Sequence, residues 1–322
     1  MTSRSALITG ISGQDGSYLA EFLLGKGYRV TGIVRRSSNH NLVNISNIIH
    51  NIDLIDADVM DQSSINQAVK GSSPDEVYNL AAQSFVGSSF SQPLLTGEVT
   101  GLGTLRVLEA VRAHAPAAKV YQASSSEMFG RSDAEPQDES TPFHPRSPYG
   151  AAKVYAYWVS VNYREAYSMW VSNGIFFNHE SPRRGLDFVT RKITDGVAQI
   201  AVGRAQTLTL GNLEARRDWG FAPDYVDLMW RILQAKEPGD YVGATGESHT
   251  VREFVQASFQ YAGIENWESY LRVDSRYTRP AEVFNLRGNP AKAKRELSWT
   301  PRVRFSELVR MMTEADLRRY NG

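Results

Sequence analysis

The sequence contains no cysteine among its 322 residues, which excludes disulfides, a thiolate nucleophile and cysteine-ligated zinc. It also lacks a surplus of either charge, because 35 basic side chains balance 35 acidic ones. Nucleic-acid-binding and membrane-surface proteins need an excess of Lys and Arg, so this balance argues against both classes. No apolar run approaches the roughly 18 residues of a membrane span, and the N-terminal residues lack the apolar stretch of a signal peptide. We therefore expect a soluble cytoplasmic protein.

Histidine is also scarce. The six His residues show no short spacing of the kind that metal ligands have, so no dedicated metal site is predicted. At roughly 150 residues per domain, the length predicts one large domain or two coupled ones.

Short apolar runs alternate with helical patterns through the first half of the chain. Strands are predicted at residues 6–9, 28–34, 53–56, 76–80 and 119–124, with a long helix from about Leu95 to Ala113. Right-handed crossovers between such strands build a doubly wound parallel α/β sheet of the Rossmann type. We expect this domain over residues 1–177 and a smaller C-terminal α+β lobe over 178–322, with some crossing of the chain between them.

Sequence patterns predict where two helices of the second half begin. Thr250-Val-Arg-Glu253 is a capping-box pattern, and Asn289-Pro290 pairs an N-cap residue with proline at the first helical position.

The first strand runs into a glycine-rich turn, Gly10-Ile-Ser-Gly-Gln-Asp-Gly16, that precedes a helix. Glycines there permit a tight turn and let a pyrophosphate approach backbone N–H groups at the helix N-terminus. A purely structural turn is the alternative. The order of strand, turn, helix and second strand favours dinucleotide binding.

The second predicted strand is followed by Arg35-Arg36-Ser37-Ser38 rather than by an acidic residue. Guanidinium groups suit a ribose 2′-phosphate, whereas a carboxylate suits the free hydroxyls of NAD. Arg35 and Arg36 therefore favour NADP, with a solvated basic turn as the alternative.

Tyr149 and Lys153 lie four residues apart in a strongly helical segment, so both side chains share one face. A tyrosine of ordinary pKa near 10 is a poor base at neutral pH. A neighbouring ammonium and an oxidised nicotinamide would each favour the phenolate, and together they would bring the pKa of Tyr149 towards neutrality. The spacing alone is a common coincidence, but its position after a fifth strand favours catalysis.

The fifth strand ends in Ser124-Ser-Ser-Glu127, which places this run at the carboxyl edge of the sheet where ligands bind. Ser125 is suited to hydrogen-bond a hydroxyl that is being oxidised. Glu127 is more specific, because removing a proton next to a new ketone requires a base that simple alcohol oxidation does not need. A capping serine run with a solvated Glu is the alternative.

These segments, together with Asn79-Leu-Ala-Ala-Gln-Ser84, resemble the extended short-chain dehydrogenase/reductases that act on nucleotide sugars. Further blocks are similar to the GDP-mannose 4,6-dehydratase family: residues 143–150, 178–185, 188–194, 210–220 and 279–282. The resemblance covers nearly the whole chain.

The resemblance implies that Tyr149, with Lys153, takes the proton of the sugar 4-hydroxyl while a hydride moves from C4 to NADP. Glu127 then acts as base at C5, the 6-hydroxyl leaves as water, and the hydride returns to C6. The implied enzyme is a hydro-lyase that converts GDP-D-mannose to GDP-4-keto-6-deoxy-D-mannose with tightly bound NADP.

The resemblance also implies the ligand contacts. Those to NADP are Gly10, Ser12, Gly13, Gln14, Asp15, Arg35, Arg36, Asp58, Val59, Leu80, Ala81, Ala82, Ser84, Tyr149, Lys153, His179 and Arg184. Those to the substrate are Ser84, Ser126, Glu127, Asn178, Lys192, Arg217, Arg279 and Glu282. A hydrogen-bonded core histidine is the alternative for His179. A homodimer or homotetramer is also implied.

Two features depart from the family pattern. Ser125 stands where the family usually carries Thr, which keeps the hydroxyl but leaves its rotamer less restrained. The segment 37–50 is rich in Asn and apolar residues where the family has another basic residue and a subunit contact, which puts a tetramer in doubt.

Three other functions remain open at this stage. A dehydratase acting on GDP-D-glycero-D-manno-heptose would differ only in the space around C6 of the sugar, next to residues 84–89. A nucleotide-sugar decarboxylase or epimerase is less favoured. A non-catalytic dinucleotide sensor would not need Glu127, Tyr149 and Lys153 together.

Overall fold

The computed structural model describes residues 3–38, 41–274, 277 and 280–321. Its strands are β1 Ser5–Thr9, β2 Arg29–Val34, β3 Asp53–Asp56, β4 Glu76–Asn79, β5 Lys119–Ser125, β6 Val171–Phe176, β7 Asn178–Glu180, β8 Leu208–Leu210, β9 Arg216–Arg217, β10 Trp219–Phe221, β11 Asp240–Gly243, β12 His249–Thr250, β13 Leu271–Val273 and β14 Asn285–Leu286. Its α-helices are α1 Gln14–Gly25, α2 Gln62–Ser72, α3 Val86–Ser91, α4 Pro93–Thr96, α5 Gly103–His114, α6 Pro148–Tyr167, α7 Val189–Ala201, α8 Ala222–Leu233, α9 Val251–Tyr261, α10 Ala291–Leu297 and α11 Phe305–Asn321. In these ranges no helix combines the length and the apolar character needed to cross a membrane.

A seven-stranded parallel sheet forms the centre of the molecule, in the order β11-β6-β5-β4-β1-β2-β3. From β1 the chain builds outward through β2 and β3, then returns to the other side with β4, β5, β6 and β11. This is the predicted doubly wound fold. In such sheets ligands bind beyond the carboxyl ends of the strands where the order reverses, here between β1 and β4.

The five predicted strands of this sheet are all present, with no end shifted by more than one residue. They form because buried side chains point to both faces: Leu7 and Ile8 are neighbours in β1, lie in different apolar clusters and are both fully buried. On one face α1 and α8 pack together through Leu19, Leu23 and Ile232. On the other, α2 and α5 cover the sheet.

The second half contributes an apolar core of its own, between α7, α9 and α11. Phe254 and Phe259 of α9 are fully buried there, as are Ile193 of α7 and Met312 of α11. Short strand pairs connect this core to the sheet domain, among them β7 with β10 and β9 with β12 and β14. The predicted capping box of α9 is confirmed, since Thr250 and Glu253 each bond the other's backbone N–H.

Two local predictions were wrong. The single helix expected from Leu95 to Ala113 begins at Pro93 and is interrupted by a π-helical turn, Gly97–Leu102, before α5 begins. A Cβ at Gly103 would lie 3.2 Å from Val59, so the backbone there packs too closely for most residues.

The second error concerns the start of α10. Pro290 is the N-cap of this helix rather than its first residue, so the helix begins one residue later than predicted. The Asn289 side chain still accepts the N–H of Ala291, at 3.1 Å.

Candidate active site

A cleft of about 920 Å³ lies at the carboxyl edge of the sheet, between the strand ends and the segments of the second half. Fifteen of the residues implied by the resemblance line it: Asp15, Leu80, Ala82, Ser84, Ser125, Ser126, Glu127, Tyr149, Lys153, Asn178, His179, Arg184, Lys192, Arg217 and Glu282. Residues from positions 15 to 282 therefore meet in one cavity, which is large enough for a nucleotide-bearing ligand.

The glycine-rich turn joins β1 to α1 beside this cleft. Gly10 adopts a φ of +72°, and a Cβ at Gly16 would lie only 2.3 Å from the carbonyl oxygen of Gly10. Gly13 is the N-cap of α1 and supplies no side chain to bond the first N–H groups of the helix. A close backbone turn at an uncapped helix N-terminus fits a pyrophosphate, so the residues present suit a dinucleotide.

Several implied cofactor residues are not part of the cleft lining: Gly10, Ser12, Gly13, Gln14, Arg35, Arg36, Asp58, Val59 and Ala81. Arg35 and Arg36 follow β2 directly and are exposed. Asp58 follows β3, and its carboxylate accepts the N–H of Met60 at 2.9 Å. These positions extend from the glycine-rich turn along the carboxyl ends of β2 and β3, as an extended dinucleotide requires.

The segment after β4 is tied to β1 by one hydroxyl. Thr9 Oγ1 accepts the backbone N–H groups of both Leu80 and Ala81 at 3.0 Å, and it donates to Asn79 Oδ1 at 2.7 Å. Ser84 follows on an exposed stretch of this segment. The buried threonine thus fixes the backbone at the point where the strand order reverses.

Ser125, Glu127 and Tyr149 come together at the end of β5. Ser125 is the N-cap of the 3₁₀ helix Ser126–Met128, and its Oγ accepts the N–H of Glu127 at 3.2 Å. The Ser125 hydroxyl also hydrogen-bonds Tyr149, and the Glu127 charge acts on the same phenol. Glu127 is 7% exposed, Tyr149 is 8% exposed and Ser125 is half-buried, so the three polar groups form one set at the edge of the cleft.

Tyr149 is placed by the first turn of α6. Ser147 caps this helix by accepting the N–H of Gly150 at 3.0 Å, and Pro148 occupies the first position. Lys153 lies one turn further on, is 4% exposed, and donates from Nζ to the carbonyl oxygen of Ala123 at 2.6 Å. Its Nζ is 5.7 Å from the centre of the Tyr149 ring. The predicted shared face is confirmed.

The electrostatics of this pair differ from the expectation. Burial raises the pKa of Tyr149 to about 12, although the Ser125 hydrogen bond opposes the shift. Burial lowers the pKa of Lys153 to about 8, and its ammonium is directed at a carbonyl rather than at the phenol. The protein groups alone therefore do not bring the pKa of Tyr149 towards neutrality. The expectation also included the charge of a bound nicotinamide, and it stays a prediction.

Asp15 and His179 join the first turn of α1 to β7. His179 Nε2 lies 2.8 Å from Asp15 Oδ2, and Gln14 Nε2 donates to the backbone oxygen of His179 at 3.0 Å. Burial favours the neutral form of Asp15, but His179 and Gln14 outweigh it and hold the pKa of Asp15 at about 2. Both residues line the cleft as implied, and they are each other's partners within it.

The remaining polar groups of the cleft come from the second half. Arg217 Nη1 donates to the carbonyl oxygen of Val283 at 2.8 Å, and its Nη2 lies 4.0 Å from Glu282 Oε1. Lys192 Nζ lies 3.6 Å from the centre of the Tyr277 ring. Asn178 is at the start of β7. Arg279 lies outside the described residues.

Glu180 is a residue of the site that sequence reasoning missed. It is 1% exposed, accepts a hydrogen bond from Thr190 at 2.6 Å, and lies 3.1 Å from Arg184 Nε. The Arg184 guanidinium also lies over the Phe188 ring, 3.6 Å from its centre. Glu180 is embedded in a polar stretch of sequence, and no local pattern distinguishes a buried carboxylate there from a solvated one.

The sequence matches one family model, described as GDP-mannose 4,6 dehydratase, over residues 7–312. The chain is 57% identical over 324 residues to GDP-mannose 4,6 dehydratase 2 of Arabidopsis thaliana, covering 97% of this chain and 86% of that one. It is 51% identical over 338 residues to the human GDP-mannose 4,6 dehydratase, with coverage of 97% and 91%.

Solved structures are similar in fold. A dTDP-glucose 4,6-dehydratase from Streptomyces venezuelae, crystallised with NAD, superimposes with a TM-score of 0.87 over 97% of this chain and 96% of that one. The two sequences are 22% identical, so this likeness concerns the fold alone.

Proposed function

The chain belongs to the GDP-mannose 4,6-dehydratase family, and from that premise we propose that it dehydrates GDP-D-mannose to GDP-4-keto-6-deoxy-D-mannose. The observation that carries the proposal is the contact of Ser125 with both Glu127 and Tyr149 at the end of β5, where the last two side chains are buried. In this proposal Ser125 hydrogen-bonds the sugar 4-hydroxyl, Tyr149 is the base that takes its proton, and Glu127 is the base that takes the proton of C5. The relatives do not favour a heptose substrate, a decarboxylation or an epimerisation.

The cofactor in this proposal is NADP, held along the glycine-rich turn with Arg35 and Arg36 at its 2′-phosphate. When bound, it supplies the oxidant that accepts a hydride from C4 of the sugar and returns it to C6. Support for a nicotinamide cofactor comes from the close backbone turn at the uncapped N-terminus of α1. Support for NADP comes from the two arginines after β2.

Tyr149 takes the proton of the 4-hydroxyl, while Ser125 hydrogen-bonds the same oxygen. The ammonium of Lys153 and the charge of a bound, oxidised nicotinamide would both favour the phenolate and so oppose burial, which raises the pKa of Tyr149. Glu127 then removes the proton at C5, which the adjacent ketone has made acidic. Loss of the 6-hydroxyl as water, with a proton supplied in the same site, completes the elimination.

Residues of the second half bind the nucleotide diphosphate. Arg217, Lys192 and Asn178 line the side of the cleft opposite the catalytic set, and Arg217 is suited to bidentate contact with phosphate oxygens. We assign residues 1–177 mainly to the cofactor and residues 178–322 mainly to the substrate. The cytoplasmic location stays a prediction.

A second copy of this chain is the proposed partner. Leu94 and Leu95 of α4, with Tyr155 and Trp158 of α6, are between 39% and 85% exposed, and the two helices are neighbours. One apolar face repeated on two copies is self-complementary about a two-fold axis, which favours a homodimer. A tetramer would need a second surface, and segment 37–50 does not carry the basic residue expected there.

The test is mass spectrometry of GDP-D-mannose after incubation with the protein and NADP. The wild type is expected to yield a product lighter by one water, and Glu127→Gln is expected to yield none because the amide cannot accept the C5 proton. Glu237→Gln, an exposed change on the surface, is the matched control and should behave as the wild type. A folded, NADP-loaded wild type that leaves GDP-D-mannose intact would contradict the proposal.

A further inference from the structure

The last helix, α11, is joined to α7 by a buried ion pair. Arg191 of α7 is 6% exposed and Asp316 of α11 is fully buried. The Nε atom of Arg191 lies 2.8 Å from Asp316 Oδ2, and its Nη2 lies 2.7 Å from Oδ1, so the contact is bidentate. Thr194 Oγ1 donates to the same carboxylate at 2.7 Å, and Arg319 Nη1 does so at 2.9 Å. Asp316 is thus fixed by four donor atoms.

The remaining nitrogen of Arg191 points at the backbone of a loop. Its Nη1 donates to the carbonyl oxygen of Pro182 at 3.0 Å and to that of Arg184 at 2.9 Å. Arg319 Nη2 donates to the Pro182 oxygen as well, at 2.9 Å. One buried guanidinium therefore joins the C-terminal helix to two carbonyls of the loop between β7 and α7.

This loop carries Arg184 into the cleft and has no regular secondary structure of its own. The same stretch of the loop is also tied to α1, since Ser181 Oγ donates to Gln14 Oε1 at 2.8 Å and Arg183 Nη2 lies 2.6 Å from Glu21 Oε1. The loop around Arg184 is thus held from two sides. Gln14 and Glu21 of α1 contact it on one side, and Arg191 with Arg319 contact it on the other.

The packing of α11 does not depend on the two carbonyl contacts. Leu308, Val309 and Met312 bury the helix in the apolar core of the second half, and Ser258 bonds Thr313 at 3.1 Å. The apolar contacts hold α11 in the core, whereas the ion pair and the carbonyl contacts join α11 to the loop between β7 and α7.

We propose that Asp316 is a positioning residue: it orients Arg191, which fixes the carbonyls of Pro182 and Arg184 and so directs the Arg184 side chain towards a phosphate-bearing ligand in the cleft. The inference rests on the proposed function in one respect, namely that the ligand which Arg184 meets is the dinucleotide. Neither Asp316 nor Arg191 touches that ligand. Their effect passes through the loop.

The test measures the dissociation constant of NADPH by fluorescence titration of Asp316→Asn. The amide retains one acceptor oxygen but loses the charge and the second oxygen, so Arg191 is no longer held in one orientation. We expect the dissociation constant to rise about tenfold, the KM for the nucleotide sugar to rise less, and kcat at saturation to change less than threefold. Glu314→Gln, an exposed carboxylate on the same helix, is the matched control and should change none of them.

A double-mutant cycle distinguishes the proposed positioning role of Asp316 from a purely structural one. If Asp316 acts through Arg184, Asp316→Asn has no further effect on NADPH binding in an Arg184→Ala background. An equal effect in both backgrounds, or a dissociation constant of Asp316→Asn within twofold of the wild type, would overturn the proposal.

Two further points keep the test decisive. If Asp316→Asn does not fold, Arg191→Lys takes its place in the cycle, since a lysine cannot bridge the carboxylate and both carbonyls at once.

Failure of the proposed function can be distinguished from failure of this inference, because NADPH binding is measured directly. A wild type that binds NADPH but does not dehydrate GDP-D-mannose leaves the positioning test intact.

Discussion

His179 is paired with Asp15 in the cleft. Its Nε2 lies 2.8 Å from the Asp15 carboxylate and its Nδ1 lies 2.7 Å from the carbonyl oxygen of Phe177. Both neighbours are hydrogen-bond acceptors, so this geometry favours the doubly protonated ring. Burial and Arg184 work against the charge, but Asp15 raises the pKa of His179 above its ordinary value of 6.5. Tyr225 stacks on the ring with 4.7 Å between centroids, which also suits a cation.

This pair predicts a pH-dependent contribution to stability. The raised pKa of His179 gives stability that is complete below 6.5 and is lost as the pH rises through the raised value. The lowered pKa of Asp15 gives stability that is complete above 3.8 and is lost as the pH falls through about 2. Asp15→Asn should therefore lower the free energy of unfolding most between these limits, by roughly 1–3 kcal/mol.

Urea denaturation at about pH 5.5 and about pH 9 checks this expectation. The difference between wild type and Asp15→Asn should shrink at the higher pH. Asp133→Asn, at an exposed position, serves as the control and should show no such trend. A difference that stays constant over the whole range would mean that His179 is not charged.

Arg35→Ala is expected to weaken NADPH binding about 10- to 100-fold and to leave NADH binding nearly unchanged, because only the phosphorylated ribose offers it a charge-assisted hydrogen bond. Equilibrium titration of both dinucleotides measures the ratio. Arg29→Ala removes an exposed arginine from the opposite end of the same strand and should not alter it. Equal losses for the two dinucleotides would contradict the 2′-phosphate assignment.

Lys153→Met should abolish dehydration and yet stabilise the fold at neutral pH. Burial lowers the pKa of Lys153 from 10.5 to about 8, so the folded state resists its charge. Replacing it with an isosteric apolar residue should raise the free energy of unfolding at pH 7 by up to about 3 kcal/mol, less the lost hydrogen bond to Ala123. The gain should vanish above pH 10.5, where both states are neutral.

Denaturation curves at neutral and alkaline pH measure this change in the free energy of unfolding, with Lys70→Met as an exposed control. A variant that is less stable than the wild type at every pH would show that the buried ammonium of Lys153 does not destabilise the folded state.

Gly16→Ala should disrupt the glycine-rich turn, because its Cβ would lie 2.3 Å from the carbonyl oxygen of Gly10. We expect a loss of about 1–3 kcal/mol of stability and of NADPH binding. Gly25→Ala, in the last turn of the same helix with no atom within 4 Å of the new Cβ, should instead stabilise the protein by about 0.5–1 kcal/mol. Thermal unfolding distinguishes the two, and similar losses in both would refute the steric argument.

Trp158→Lys should convert a homodimer to monomers, because it places a charge in the exposed apolar face of α6. Sedimentation velocity measures the assembly. Tyr261→Lys, which alters an exposed aromatic residue of α9, is the control. A dimer that persists in Trp158→Lys would place the contact elsewhere on the surface.

The first five strands were predictable because their short apolar runs alternate with helical patterns, but β6 was not. Its sequence contains Ser172, Asn173 and Gly174, which interrupt the apolar pattern. The fold uses each of them: Asn173 Oδ1 accepts from Ser124 at 3.3 Å, and a Cβ at Gly174 would lie 2.3 Å from the hydroxyl of Tyr121. Polar and small residues here serve contacts between strands, which local patterns do not reveal.

The proposed catalytic set was predictable, because Ser125 ends β5, Glu127 follows it closely and Tyr149 lies in the first turn of a strong helix. The contacts between Asp15 and His179 and between Arg191 and Asp316 were not. Each joins residues more than a hundred positions apart, and the local sequence around one partner does not identify the other. Pairings of this kind are settled by tertiary packing rather than by local sequence.

The packing of α8 on α1 has a consequence for synthesis on the ribosome. Six of the seven strands of the central sheet are complete by residue 177, yet the helix that covers one face of them begins only at Ala222. Until then Tyr121, Phe176 and the inner side of α1 lack Tyr225 and Leu228 as a cover. A nascent chain of intermediate length thus carries a broad apolar surface, which makes it a client for chaperones and makes C-terminal truncations within this interval prone to aggregation.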